Sequence, residues 1–163
     1  MQARELREMF DYLIDTRARV LDHGRALGWE EFSRDRGASW GSMLGIFLHL
    51  LDDEEGWLQI ATQGGSVVDT PDRKPSAYVS LDQVAEDNAR VGALTHARLA
   101  PLSDADLERT VEFWWPEETV HRSFEKIALH AFVDELAHVG ELICLSWQLD
   151  VKPPYLDWID YRG

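Results

Sequence analysis

Cysteine is nearly missing from this chain: Cys144 stands alone among 163 residues. One thiol cannot close an intramolecular disulfide and supplies no cysteine-based zinc motif. Set within LICLSW, Cys144 reads as a small buried hydrophobe. Basic residues are also scarce, 16 Lys and Arg against 30 Asp and Glu, which leaves a net charge of −14. So acidic a surface repels phosphate backbones and anionic membranes. No local basic patch offsets it, because Arg34 and Arg36 enclose Asp35 and follow Glu30 and Glu31. No apolar run approaches the roughly 20 residues that cross a bilayer. The opening MQARELREMF is charged and amphipathic, unlike a secretory signal. The expectation is a cytoplasmic protein with neither nucleic-acid nor membrane partners. Glycine-rich phosphate loops, Ser-His-Asp order and Cys-His pairs are absent as well, so nucleophilic catalysis by a side chain has no support.

What is present is helical. Apolar residues make up 45% of the chain, ordinary for a globular protein, and the length suits a single domain over residues 1–163. Leu6, Phe10, Leu13, Ile14, Arg17 and Val20–Leu21 recur at three- and four-residue spacing, which predicts a helix from about Ala3 to Ala26. A second helix is expected from a Ser39 cap to about Thr62, ended by Gly64–Gly65. A long loop rich in Gly, Pro and Ser follows. Ser80, with Gln83 three residues on, has the form of a capping box for a third helix to about Ala100. The stretch SDADLERTVEFWWPEE reads as a turn and a short extended segment, whose Trp114 and Trp115 serve packing or wall a pocket. Ser123 caps a fourth helix to about Leu149, and Pro153–Pro154 bars its extension into an aromatic tail that packs back on the body. Four long amphipathic helices predict an all-α four-helix bundle. Its long second connection has room for a crossover.

Three polar residues interrupt the apolar helical patterns. His49 lies in IFLHLLDDEEGW, and Asp134 and His138 lie in HAFVDELAHVGEL. An unsatisfied buried polar group costs roughly 1–3 kcal/mol, so each needs a partner. His130, Asp134 and His138 are four apart, which puts them along one helix face. Their rise of about 12 Å lets one ion take only a neighbouring pair, either His130/Asp134 or Asp134/His138. If His49 joins that pair, two imidazoles and a carboxylate suit a divalent metal. Mutual hydrogen bonding in a structural polar cluster is the bland alternative. Glu135 and His138 have di-iron spacing, but the residue three before His49 is Ile46, so the second half of a di-iron motif is missing. Glu54 and Glu55 follow His49 by a turn and read as surface acids, with Glu54 able to orient the imidazole. Glu141, three after His138, is a candidate partner for its second ring nitrogen. His23, His96 and His121 have no partner spacing and read as surface residues.

At these residues the chain resembles the DinB/YfiT-like superfamily of small four-helix metalloproteins. The likeness rests on SMLGIFLHLLDDEEGWL, on LHAFVDELAHVGELICLSWQL, on the tail DVKPPYLDW and on the first-helix pattern FDYLIDTRARVLD. The resemblance implies metal ligation by His49 and His138. The third ligand position falls on Asp134, where histidine is commoner. A carboxylate there widens the choice of ion to Fe, Mn or Ni as well as Zn. The resemblance further implies open coordination positions, a homodimer, a small-molecule substrate and a thiol S-transferase or related detoxification activity with a bacillithiol- or mycothiol-type cofactor. A metal-dependent hydrolase and a non-catalytic stress-response bundle are the alternatives.

Overall fold

The structure is a computed structural model and describes residues 1–162. In chain order it contains α1 (Ala3–Leu27), a short α2 (Trp29–Ser33), α3 (Met43–Gln63), a two-residue β1 (Gly65–Ser66), α4 (Leu81–Leu99), a one-turn α5 (Asp104–Leu107), β2 (Thr110–Trp115), β3 (Glu118–Ser123) and α6 (Phe124–Gln148). Four long helices stand where the apolar spacing predicts them. The chain is nevertheless not all-α. TVEFWW alternates, with Val111 and Phe113 buried and their neighbours exposed, so it forms a strand. It pairs antiparallel with β3, from Thr110 opposite Ser123 to Trp115 opposite Glu118, and parallel with β1. The partner ETVHRS buries only Val120, which is why its sequence gives no apolar signal.

Two apolar clusters fix the direction of each helix. One joins the start of α1 and α6 (Leu6, Phe10, Phe124, Ile127) to the end of α3 and α4 (Leu58, Ala61, Leu99). The other joins the end of α1 and α6 (Val20, Leu21, Leu142, Leu145) to the start of α3 and α4 (Phe47, Leu50, Leu81, Val84). Hence α1 and α6 run parallel to one another, and α3 and α4 run parallel to one another in the opposite sense. The connection from α3 to α4 therefore travels back along the bundle, the crossover that its length permits.

Between the clusters lies a buried ionic layer. Arg17 of α1 is fully buried, and its guanidinium donates to Glu54 of α3 at 2.7 and 2.9 Å and to Glu135 of α6 at 2.8 Å. Asn88 and Thr95 of α4 complete it, Asn88 accepting from Arg17 Nε at 2.8 Å and Thr95 donating to Glu54 at 2.6 Å. All four long helices thus meet at one polar level. Burial pushes the Glu135 carboxyl up to about 8 although Arg17 opposes the shift.

Four sequence expectations need correction. Cys144 is exposed, because it lies on the outer side of α6 while Leu142 and Leu145 face inward. Ser42, not Ser39, caps α3, since residues 38–42 form a tight turn first. Glu54 is no surface acid but a fully buried partner of Arg17. His23 is half-buried, hydrogen-bonded to Ser146 at 3.0 Å. The aromatic tail does pack back, with Trp158 and Tyr161 edge-on to Tyr12 of α1.

Breaking the layer on one side isolates two buried carboxylates. Arg17→Met should cost about 3–5 kcal/mol in urea unfolding. The triple change Arg17→Met, Glu54→Met, Glu135→Met should recover most of that loss. A single-variant cost below about 1 kcal/mol would contradict a structural role for the layer.

Candidate metal centre

The first part of the site is built by the turn before α3. Ser42 accepts the Gly45 N–H at 3.0 Å, and Arg36 N–H reaches back to the Gly41 carbonyl at 2.7 Å. Gly45 is required here, because a Cβ would lie 2.0 Å from the Trp40 carbonyl oxygen. That close approach lays the Trp40 indole flat on His49, with ring centroids 4.0 Å apart and planes at 25°. His49 is nearly two turns into α3, on the side facing α6.

Asp134 and His138 come from α6. His49 Nε2 is 3.5 Å from Asp134 Oδ2, and His138 Nε2 is 3.6 Å from the same oxygen. One donor atom from each of the three residues lies within 4.8 Å of the others. The pair from α6 is therefore Asp134/His138, and His130 is outside it. His130 instead packs edge-on against Trp57, with centroids 4.6 Å apart. Burial, and then the neighbouring His138 ring, lower the proton affinity of His49, so its imidazole stays neutral and keeps a lone pair to offer.

Glu141 accepts from His138 Nδ1 at 2.9 Å, and Ser39 donates to its other oxygen at 2.6 Å. The hydrogen bond from Ser39, reinforced by His138, holds the Glu141 carboxyl below its ordinary range. With Nδ1–H so engaged, the His138 Nε2 lone pair faces Asp134. Glu54 plays no such part for His49, since its oxygens are taken by Arg17 and Thr95.

Asp53 is the site residue that the sequence reading passes over. Its Oδ2 is 3.6 Å from His49 Nε2, and its carboxyl is within hydrogen-bonding reach of Asp134. Burial, then the hydrogen bond and charge of Asp134, push Asp53 up to about 9. The shared proton in turn holds Asp134 below its usual range. The signal was available: Asp53 follows His49 by four residues, as His138 follows Asp134.

One wall comes from the crossover between α3 and α4. Arg73 donates through its backbone to Asp52 at 2.8 Å, and its guanidinium binds Asp52, Glu55 and Asp87. Tyr78 donates to Asp87 at 2.7 Å, and Arg90 joins Glu55 at 2.8 Å. These bonds hold the crossover beside the site, where Trp40, His49, Asp52, Arg73 and Pro75 line a cavity of about 130 Å³. That is room for a few waters or a small polar group.

The sequence matches the DinB family over residues 1–162. The chain belongs to that family. A crystal structure of a DinB-like protein, YjoA of Bacillus subtilis, superposes with a TM-score of 0.68 at 13% identity, covering 91% of this chain and 97% of the other. At that identity the likeness concerns the fold. No curated protein matches the chain in sequence. Among the described residues no helix is long and apolar enough to cross a membrane.

The crossover clamp has a pH signature. Burial raises the Asp87 carboxyl, but hydrogen bonds from Arg73 and Tyr78 outweigh it and hold the group at about 2, against an ordinary value of 3.8. The unfolded chain therefore binds the proton more readily, and the stabilisation is complete above about pH 4 and lost as pH falls towards 2. The melting temperature of Asp87→Asn should lie below that of the parent at pH 6, with the gap closing by pH 2. A gap independent of pH would show that the Asp87 charge is not what holds the crossover.

Proposed function

We propose that this DinB-family chain holds a divalent metal through His49, Asp134 and His138 and is a metal-dependent enzyme, a thiol S-transferase or a related detoxification activity. The observation carrying the reading is two imidazole Nε2 atoms aimed at one carboxylate oxygen, with a second carboxyl, Asp53, 3.6 Å from His49 Nε2. Donors about 2.1 Å from a common centre are up to about 4.2 Å apart, and the separations of 3.5 and 3.6 Å fall inside that span. A cation held there would neutralise Asp134 and the neighbouring Asp53 carboxyl at once. The Glu141 bond to His138 and the Trp40 stack on His49 hold the two rings in place before any ligand arrives.

When bound, a Zn, Ni, Fe or Mn ion would supply Lewis acidity and lower the pKa of a coordinated thiol. Asp53, 3.6 Å from His49 Nε2, borders the ligands without being required among them. The cavity under Trp40 and Arg73 admits the small head of a low-molecular-weight thiol of the bacillithiol or mycothiol type. A small-molecule electrophile, a homodimeric assembly and a cytoplasmic setting complete the proposal. The strongly negative surface supports the exclusion of nucleic acid as a partner.

Metal analysis of purified protein tests the first half. The parent should carry close to one equivalent per chain, and His49→Ala and His138→Ala should each lose it. Chelation should lower the melting temperature by about 5–10 °C, on the order of 2.7 kcal/mol for a site filled at a hundredfold excess over Kd. Metal retained by both variants overturns the assignment. For the second half, electrophile consumption should require both the metal and an added thiol. Turnover with water alone would make the protein a hydrolase instead.

A further inference from the structure

The row of site residues does not end at the metal ligands. On α3, His49, Asp53 and Trp57 follow one another at four-residue steps, and on the antiparallel α6 so do His138, Asp134 and His130. The contacts pair them across the groove as His49 with His138, Asp53 with Asp134 and Trp57 with His130. The third pair opens into a hollow of about 460 Å³, walled by Trp57, Phe113, Trp115 and Val133. That volume lies in the range of small-molecule sites. Trp115 and Phe113 both stack edge-on against Trp57, which gives the hollow a fixed aromatic floor.

Two cations, Arg122 and Lys126, also line this hollow. In a chain of net charge −14 most arginines are spoken for by carboxylates. Neither Arg122 nor Lys126 has an acidic partner within ion-pair distance among the described residues, and Arg122 donates only to the His121 carbonyl, at 2.7 Å. Unspent positive charge at the edge of an aromatic hollow selects an apolar body carrying an anionic group. Trp57 is eight residues from His49, about 12 Å along the helix, so one molecule of moderate length spans hollow and ligands.

We propose that this hollow is the substrate subsite, taking an aromatic or otherwise apolar organic anion whose acidic group meets Arg122 and Lys126 and whose other end points along the α3–α6 groove to Asp134. The assignment to substrate rests on the metal-dependent reading above, whereas binding of the anion does not. A small organic anion is favoured over a second copy of the chain at this hollow, because its volume of about 460 Å³ is that of a small-molecule site and its two cations match a single acidic group.

The test uses 8-anilinonaphthalene-1-sulfonate, an aromatic anion, titrated into the full chain with and without chelator, alongside the neutral N-phenyl-1-naphthylamine. Saturable one-site binding is expected with and without chelator and in His138→Ala. Arg122→Gln with Lys126→Gln, both exposed positions, should weaken the anion by roughly tenfold and leave the neutral probe unchanged. Trp115→Ala should weaken both probes. Equal loss of both probes in the charge variant, or anion binding indifferent to it, overturns the proposal. So does sedimentation showing that Val133→Lys splits a dimer, which would give the hollow to a second copy. Binding that behaves as expected in a protein found to hold no metal would keep the anion site and remove its link to the reaction.

Discussion

The single guanidinium of Arg17 sets the register on which the site depends. It reaches from α1 across the bundle to Glu54 and Glu135, and each of those residues is the immediate neighbour of an acid in the site. Consecutive helical residues point about 100° apart. Fixing Glu54 and Glu135 on the inner side therefore fixes Asp53 and Asp134 on the groove side, at the same level. Slipping α3 against α6 by one turn would pull Glu54 or Glu135 off Arg17 and leave a charge buried without a partner. Buried ion pairs contribute little net stability compared with well-packed apolar residues, and their best-attested use is to specify one arrangement over others. Here the arrangement specified is the one that brings donors from two helices to a common point.

The layer sets two acids around one base. Glu135 is pushed up to about 8 because burial outweighs the attraction of Arg17. Burial acts in the same direction one residue away, where it and then the neighbouring Asp134 raise the Asp53 carboxyl. The two cases differ in what can relieve them. Glu135 is fully enclosed and already shares Arg17. Asp53 and Asp134 are only partly covered, with side-chain exposures of 14% and 34%, so a cation arriving from solvent can reach them.

The helices were legible because their apolar residues repeat at the helical period, and His49, Asp134 and His138 were legible because polar residues in such patterns demand partners. The rest failed for specific reasons. Arg17 falls within the apolar stripe of the first helix, at a spacing that buries it. Nothing local marked Glu54 and Glu135 as its partners, 37 and 118 residues away. Asp53 sits in the run DDEE, whose four members go to three different fates: Asp52 and Glu55 to Arg73, Asp53 to the site and Glu54 to Arg17. Composition cannot separate them, whereas spacing from His49 singles out Asp53. Ser39 failed as a cap but joined the site through Glu141, because the turn at residues 38–42 carries it back towards α6.

The shape of the groove follows from the mismatch between four-residue steps and a period of 3.6. Each step of four turns a row by about 40°, so a row that faces its neighbour at one end rotates out of the contact at the other. Along α6 this is visible as rising exposure, 17% for the His138 side chain, 34% for Asp134, and a solvent-facing His130. On α3 the opposing row stays covered, because the hairpin of β2 and β3 lays Phe113 and Trp115 over Trp57. The result is a groove that is tight and polar where donors must converge, and open and aromatic two turns further on. One helical repeat thus supplies both environments, and the small sheet, the element that makes the fold depart from a pure bundle, is what keeps the open end from being bare surface.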